Sequence, residues 1–169
     1  MNLPNRLTVL RVLLVPVVCV LIGFGLYPWA AGFFALGALT DFLDGYLARR
    51  DGLVTVFGKF LDPVADKLLV LTAMIMLTAE GILPAWAVVI VAARDLAVDG
   101  LRMVASGSGK VVAAKLPGKI KTVLQLLCVL SALILGRHVV TTVLTVAMAV
   151  MTVVSGGIYF RELWKEIWK

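Results

Sequence analysis

The chain is poor in cysteine and histidine, with two cysteines and one histidine among its 169 residues. Cys19 and Cys128 both lie inside apolar runs, where a thiol behaves as a small hydrophobic group, so no disulfide framework is indicated. Without a cluster of histidine and cysteine, the chain also lacks a ligand set for zinc. A phosphate-binding loop is excluded too, because the first glycine of G-x4-G-K-[ST] would fall on Val104, and Val111 follows Lys110.

Apolar side chains are abundant instead. They make up 62% of the residues, and the mean hydropathy is +1.04, whereas soluble domains are about 45–50% apolar. The composition predicts an integral membrane protein. A spanning helix needs about 20 residues, so the length accommodates six spans and leaves no room for a separate soluble domain.

Six apolar segments, separated by short turns containing glycine, proline or charged residues, predict an all-α, polytopic membrane protein with six transmembrane helices. The amphipathic segment Met1–Arg11 predicts a short interfacial helix before the first span. We expect residues 1–169 to form a single membrane-embedded domain. The predicted spans cover residues 7–26, 29–50, 60–78, 84–104, 120–135 and 139–160.

Lysine and arginine are distributed unevenly among the loops. Nearly all of them lie at 1–11, 49–59, 102–121 and 161–169, whereas the turns near residues 28, 80 and 137 hold only Arg137. By the positive-inside rule, both termini are predicted to be cytoplasmic in a multi-pass cell-membrane protein. The net charge of +6 is thereby explained by topology, and no nucleic-acid partner is expected.

Four aspartates lie on the two segments joined by the predicted cytoplasmic turn at Asp51. Asp41 and Asp44 are three residues apart, and Asp62 and Asp66 are four apart, so each pair shares one helix face. Ionised side chains at membrane depth cost a few kcal/mol each, which nearby cations or bound metal must offset. Oxygen-only ligands favour Mg²⁺ or Mn²⁺, and two pairs are compatible with a site for two metals. Alternatively, the aspartates pair with neighbouring Arg and Lys and only hold the helices together.

These residues form a longer pattern that resembles the signature of the CDP-alcohol phosphatidyltransferase family. The resemblance implies a six-helix, homodimeric membrane enzyme, here of a bacterial cell membrane, with its active site on the cytoplasmic side. Such an enzyme transfers a phosphatidyl group from CDP-diacylglycerol to an alcohol and releases CMP. The matching pattern is Asp41-x2-Asp44-Gly45-x2-Ala48-Arg49-x8-Gly58-x3-Asp62-x3-Asp66.

The resemblance also implies roles for these positions. The four aspartates, Asp41, Asp44, Asp62 and Asp66, would bind two divalent cations, Mg²⁺ or Mn²⁺, and Asp66 would also act as the base on the acceptor hydroxyl. The positions expected to accommodate the cytidine diphosphate end of the lipid are Gly45, Ala48, Arg49 and Gly58.

The segments PNRLTVLR, AARDLAVDGLR and LPGKIKTVLQ resemble the phosphatidylglycerophosphate synthases of this family, which implies sn-glycerol 3-phosphate as acceptor. A phosphorylated acceptor requires cations beside the metals. Arg94 is predicted near mid-membrane, where a guanidinium requires a partner, and Lys121 opens the fifth span. Further candidates for binding the acceptor phosphate are Lys119, Lys115, Arg102, Thr8 and Arg11.

Each of these candidates has a structural alternative. Arg94 could pair with Asp95 or Asp99 of another helix, and the lysines could be ordinary positive-inside charges. Thr8 and Arg11 could belong to an interfacial anchor. For the whole protein, the alternatives are another acceptor, namely inositol phosphate, serine or phosphatidylglycerol, or a divalent-cation transporter that uses the aspartates as its pathway.

Overall fold

The structure is a computed structural model that describes the backbone of residues 3–51, 56–107 and 116–167. Within these ranges, the side chains of 3–7, 41–51, 56–64, 66, 104–107, 163 and 165–167 lie outside the description. The described residues form six α-helices and no strand, as the all-α prediction requires. The helices are α1 (Leu3–Gly23), α2 (Tyr27–Asp51), α3 (Val56–Ala79), α4 (Ala85–Gly107), α5 (Leu116–Leu135) and α6 (Val139–Ile167).

Short turns make the helices that they join antiparallel. Three short connections join consecutive helices: residues 24–26 between α1 and α2, 80–84 between α3 and α4, and 136–138 between α5 and α6. Connections of this length join antiparallel neighbours. Gly25 and Gly81 have φ angles of 71° and 68°, which place both glycines in the left-handed conformation that ends helices. At the second turn, the Ile82 N–H donates to the Leu77 carbonyl at 2.8 Å, and Arg137 donates to the Gly81 carbonyl.

The opposite end of the bundle collects the charged positions. The start of α5 contacts α4 through Lys121 and Asp95, and it meets the end of α6 where Gly118 lies against Tyr159. The ends of α4 and α6 therefore lie beside the start of α5. The candidate site lies at this end of the bundle.

The bundle has an apolar core that also contains polar side chains, and its outer surface is apolar. Phe34, Met74 and Met148 are fully buried, and so are Thr152 and Ser155. Large apolar side chains are exposed on every helix; they include Leu13, Trp29, Ile75, Val89, Leu96, Val123, Ile134 and Val143. An outer surface of this kind is unfavourable in water and favourable in lipid.

Among the described residues, two helical segments are by themselves long and apolar enough to cross a membrane: Leu116–Leu135 and Val139–Glu162. Shorter apolar helices cover Thr8–Gly23 and Lys67–Ala79. The charged residues within the other helices lower their hydropathy. Six helices are present as predicted, and their arrangement as six membrane spans remains a prediction.

The beginning of the chain differs from the expectation of a separate interfacial helix at Met1–Arg11. From Leu3 onward this segment belongs to α1, which continues without a break to Gly23. Pro4 lies in the first turn, where its missing N–H costs nothing, and no helix-breaking residue follows before Arg11. The chain therefore gains backbone hydrogen bonds by continuing a single helix.

Candidate active site at the charged end of the bundle

The four aspartates lie on the two helices that are joined by residues 52–55. Asp41 and Asp44 belong to α2, and Asp62 and Asp66 belong to α3. Both helices are continuous through these positions, and the two helices contact each other. Positions three or four residues apart therefore lie on one side of each helix.

The aspartate side chains lie outside the described part of the structure, so their predicted roles remain predictions. The same holds for the positions predicted to accommodate the nucleotide, and one predicted acceptor residue belongs to the undescribed segment 108–115. These residues are Gly45, Ala48, Arg49, Gly58 and Lys115. Among the side chains that are described, no three His, Cys, Asp or Glu groups cluster as a metal site.

A buried group of opposite charges lies where α4 and α5 meet. The Lys121 ammonium donates hydrogen bonds of 2.9 and 2.7 Å to the two carboxylate oxygens of Asp95. Lys121 is 3% exposed and Asp95 is 4% exposed. Arg94 Nη1 donates to Asp95 Oδ1 at 3.0 Å. Asp95 therefore holds two cations from two helices close together.

Tyr159 of α6 brings a third cation to this group. The guanidinium carbon of Arg94 lies 5.5 Å from the centre of the Tyr159 ring, and that of Arg102 lies 5.0 Å from it. Both distances are within the range of cation–π attraction. Tyr159 is 1% exposed, so the ring supports the two arginines from inside the bundle. We call Arg94, Arg102 and Lys121 the cation cluster.

Two glycines allow this close packing. A Cβ at Gly156 would lie 3.0 Å from Arg94 Cγ, and a Cβ at Gly118 would lie 3.2 Å from the Tyr159 hydroxyl oxygen. Both distances are shorter than an ordinary carbon contact. Any larger residue at either glycine would therefore displace a side chain of the site.

The group joined by these contacts has a surplus of positive charge. Among the contacts of the described residues, Arg94 and Lys121 share the carboxylate of Asp95 and Arg102 joins them through the Tyr159 ring, so that these contacts bring together three positive charges and one negative charge. Within the described part of the structure, the Nε atoms of Arg94 and Arg102 are buried without a hydrogen-bond partner. Leaving a buried donor unsatisfied costs about 1–3 kcal/mol. The positive charge of these side chains and the unpaired Nε donors of the two arginines together suit the binding of an anion.

The remaining predicted acceptor residues have different settings, and α1, which carries Thr8 and Arg11, contacts α2 and α3 rather than the helices of the cluster in the described structure. Lys119 is exposed, because it lies two positions from the buried Lys121 on the same helix. Thr8 and Arg11 are 1% and 0% exposed, respectively, in the first half of α1. The structure thus brings Arg94, Arg102 and Lys121 together and leaves Lys119 on the surface.

Asp99 has a different partner from the one considered for it in the sequence. It forms an ion pair with Lys67, which joins α3 to α4. Arg94 instead contacts Asp95, its own neighbour on α4. Of the two partners considered for Arg94, the described contacts therefore show Asp95, and they show it on the same helix as Arg94.

Tyr159 was not among the residues predicted from the sequence, and Asp95 was considered only as a structural partner for Arg94. One local feature of the sequence could have indicated Tyr159: it lies just after Gly156-Gly157, toward the end of a helix that is otherwise largely aliphatic. No spacing within α6 relates this ring to α4. Only the packing of α4 against α6 reveals the contact.

Comparison with known proteins gives matches along nearly the whole chain. The family model described as CDP-alcohol phosphatidyltransferase matches residues 1–154. A Bacillus subtilis protein named CDP-diacylglycerol–glycerol-3-phosphate 3-phosphatidyltransferase is 42% identical, with 98% of this chain and 97% of the relative covered. A probable phosphatidylglycerophosphate synthase of Mycobacterium tuberculosis is 37% identical over 98% of this chain and 83% of its own length. A Rickettsia typhi protein with the same name as the Bacillus protein is 36% identical, over 95% and 96% of the two chains.

Proposed function

Because the chain belongs to the CDP-alcohol phosphatidyltransferase family, we propose that it transfers the phosphatidyl group of CDP-diacylglycerol to sn-glycerol 3-phosphate. The products are phosphatidylglycerol phosphate and CMP. The names of relatives that align over nearly their full length support this acceptor. The same comparisons favour an enzyme over a divalent-cation transporter.

The observation that carries the choice of acceptor is the surplus positive charge of the cation cluster. A phosphate monoester carries about 1.5 to 2 negative charges near neutral pH, which the two excess positive charges of the cluster would balance. Serine has no phosphate, and phosphatidylglycerol has only a singly charged diester. Inositol phosphate would satisfy the same charge rule, and the names of the relatives favour glycerol 3-phosphate over it.

Within this proposal, Arg94, Arg102 and Lys121 bind the acceptor phosphate. Arginine offers several N–H donors in one plane, which suits phosphate oxygens, and the Nε donors of both arginines are free of hydrogen-bond partners in the described structure. Lys121 adds a third charge while it remains fixed by Asp95. Lys119, Lys115, Thr8 and Arg11 would contribute from the edges of the site.

The aspartates of α2 and α3 would handle the donor lipid. We propose that Asp41, Asp44, Asp62 and Asp66 bind two divalent cations, Mg²⁺ or Mn²⁺, since a set of carboxylates without histidine or cysteine suits these hard ions. When bound, such cations supply charge neutralisation for the pyrophosphate and the departing CMP. The nucleotide would be accommodated by Gly45, Ala48, Arg49 and Gly58.

The reaction requires one proton acceptor. The glycerol hydroxyl attacks the phosphorus that carries diacylglycerol, a new P–O bond forms, and the bond from that phosphorus to CMP breaks. Asp66 takes the proton of the attacking hydroxyl. The cation cluster holds the acceptor phosphate during the attack, so that the hydroxyl is presented to the donor in a fixed position.

We further propose that residues 1–169 form a single membrane-embedded domain in a bacterial cell membrane. The six helices would span the bilayer as a homodimer, with both termini and the active site on the cytoplasmic side. The exposed apolar side chains on every helix support six spans, and the cationic loops support this orientation. Lipid tails would then remain in the bilayer while the soluble acceptor enters from water.

An acceptor panel tests the proposal. The purified protein in lipid nanodiscs is given CDP-diacylglycerol, Mg²⁺ or Mn²⁺, and one acceptor at a time, and CMP release is measured. We expect release with glycerol 3-phosphate and little release with glycerol, serine, inositol phosphate or phosphatidylglycerol. Preferential release with any of the other acceptors would refute the assignment.

A further inference from the structure

Tyr159 is the only residue of the described site that contacts two members of the cation cluster by its ring. It lies on α6, while Arg94 and Arg102 lie eight positions apart on α4. On a straight helix these two positions are separated by about 12 Å along the axis. Their guanidinium groups nevertheless both lie within 5.5 Å of one ring centre. The ring therefore marks the point at which two like charges converge.

The kind of contact decides which donors remain available. A carboxylate partner would occupy the N–H groups of a guanidinium, whereas an aromatic ring attracts the cation through its face. The planar group keeps its edge donors for another ligand. In agreement, the Nε atoms of Arg94 and Arg102 have no hydrogen-bond partner among the described groups, and Arg94 gives Asp95 a hydrogen bond only through Nη1.

The ring is also fixed in place. Tyr159 is 1% exposed, and it packs so closely on the start of α5 that a Cβ at Gly118 would lie 3.2 Å from its hydroxyl oxygen and 3.3 Å from Cε2. Lys121 lies on the same helix, less than one turn further along. Tyr159 of α6 thus contacts both helices that carry the cation cluster, α4 and α5.

From these contacts we propose that Tyr159 is a positioning residue for the acceptor phosphate. It holds Arg94 and Arg102 side by side by cation–π attraction and leaves their edge donors directed to one dianionic phosphate monoester. The inference rests on the proposed function, since it assigns the cation cluster to the acceptor. The property of Tyr159 that this role requires is the negative face of its ring.

Three substitutions of Tyr159 distinguish the effect of the negative ring face from the effects of side-chain shape and of the hydroxyl group. Tyr159→Phe keeps the ring, Tyr159→Leu removes it, and Tyr159→pentafluorophenylalanine keeps a six-membered ring of similar size with the sign of its face reversed. We expect KM for glycerol 3-phosphate to stay within about threefold of wild type for phenylalanine. For the other two we expect a rise of about tenfold, as the loss of two cation–π contacts implies.

The readout compares the kinetic constants for glycerol 3-phosphate with those for CDP-diacylglycerol. The kcat at saturating glycerol 3-phosphate and the KM for CDP-diacylglycerol should change little, and inhibition by inorganic phosphate should weaken in parallel with the acceptor KM. A role in packing alone would instead lower the melting temperature and affect both substrates together. If Tyr159→Leu fails to fold, the fluorinated variant, which preserves the shape, decides the result.

Failure of the inference and failure of the proposed function are distinguishable. If wild-type protein releases no CMP with glycerol 3-phosphate, the proposed function is wrong. If wild type uses glycerol 3-phosphate and the fluorinated variant keeps the wild-type acceptor KM, the positioning role of Tyr159 is wrong while the function stands. Equal rises for phenylalanine and pentafluorophenylalanine would also overturn the inference, because they would assign the effect to the hydroxyl.

Discussion

Replacement of Lys121 by methionine tests whether this cation serves the acceptor or only neutralises Asp95. Methionine keeps much of the length of the lysine side chain but has neither charge nor donor. If Lys121 binds the acceptor phosphate, Lys121→Met removes a charge-assisted hydrogen bond worth about 1.5–3 kcal/mol. That loss corresponds to a rise in KM for glycerol 3-phosphate of roughly 10- to 150-fold, with KM for CDP-diacylglycerol unchanged.

The same substitution also has a structural cost. Asp95 is 4% exposed and receives both hydrogen bonds from Lys121, so the variant leaves a buried carboxylate with Arg94 as its described partner. Breaking a buried ion pair by removing one side costs about 3–5 kcal/mol of stability. A lower melting temperature alone therefore does not distinguish the two roles.

The double variant Lys121→Met with Asp95→Asn separates them. The asparagine removes the uncompensated charge, so we expect most of the lost thermal stability to return. The acceptor KM should remain high, because the donor to the phosphate is still missing. Recovery of the wild-type acceptor KM together with stability would show that Lys121 has only a structural role, which would refute the reasoning. Asp95→Asn alone serves as the control for the altered charge balance.

Three further predictions concern the neighbouring parts of the site. Gly156→Ala should raise the acceptor KM by roughly threefold to tenfold, because the added methyl group would displace Arg94. Gly157→Ala is the control and should leave the acceptor KM unchanged, because a Cβ at Gly157 meets no atom within 4 Å. Equal acceptor KM values for the two variants in steady-state assays would contradict this prediction. Asp66→Asn should lower turnover by roughly 10²- to 10⁴-fold through loss of the base while equilibrium binding of CDP-diacylglycerol persists, and near-normal turnover would exclude Asp66 as the base. Chelation with EDTA should abolish CMP release, and Mg²⁺ or Mn²⁺ should restore it; turnover that persists after exhaustive chelation would argue against the metal-dependent mechanism.

The helices were largely predictable from the sequence, because long apolar runs and short turns determine them locally. The exception is the beginning of α1, where an amphipathic pattern suggested a separate interfacial helix. Periodicity describes which side of a segment is apolar, but it does not say where one helix ends and the next begins. A helix-breaking residue would have separated an interfacial helix from the first span. The one proline in this stretch, Pro4, lies in the first turn of α1 and does not interrupt it.

The site was predictable only in part. The aspartate pattern from Asp41 to Asp66 is local, since it lies on two consecutive helices, and it could be recognised directly. The contact between Lys121 and Asp95 joins residues 26 positions apart on helices whose packing the sequence does not specify. A pairing of Arg94 with Asp95 was considered only between helices, since adjacent residues on one helix point in different directions. The long arginine side chain reaches back to its neighbour, and the sequence gives no sign of that rotamer.

The most direct test of the acceptor site is an experimental structure of the Asp66→Asn variant with Mg²⁺ or Mn²⁺, CDP-diacylglycerol and glycerol 3-phosphate bound. Loss of the base should trap both substrates before transfer. We predict that the phosphate of glycerol 3-phosphate lies within hydrogen-bond distance of Arg94, Arg102 and Lys121, with its terminal hydroxyl directed to the donor between α2 and α3. A phosphate bound elsewhere, with no acceptor atom near Arg94, Arg102 or Lys121, would contradict the account.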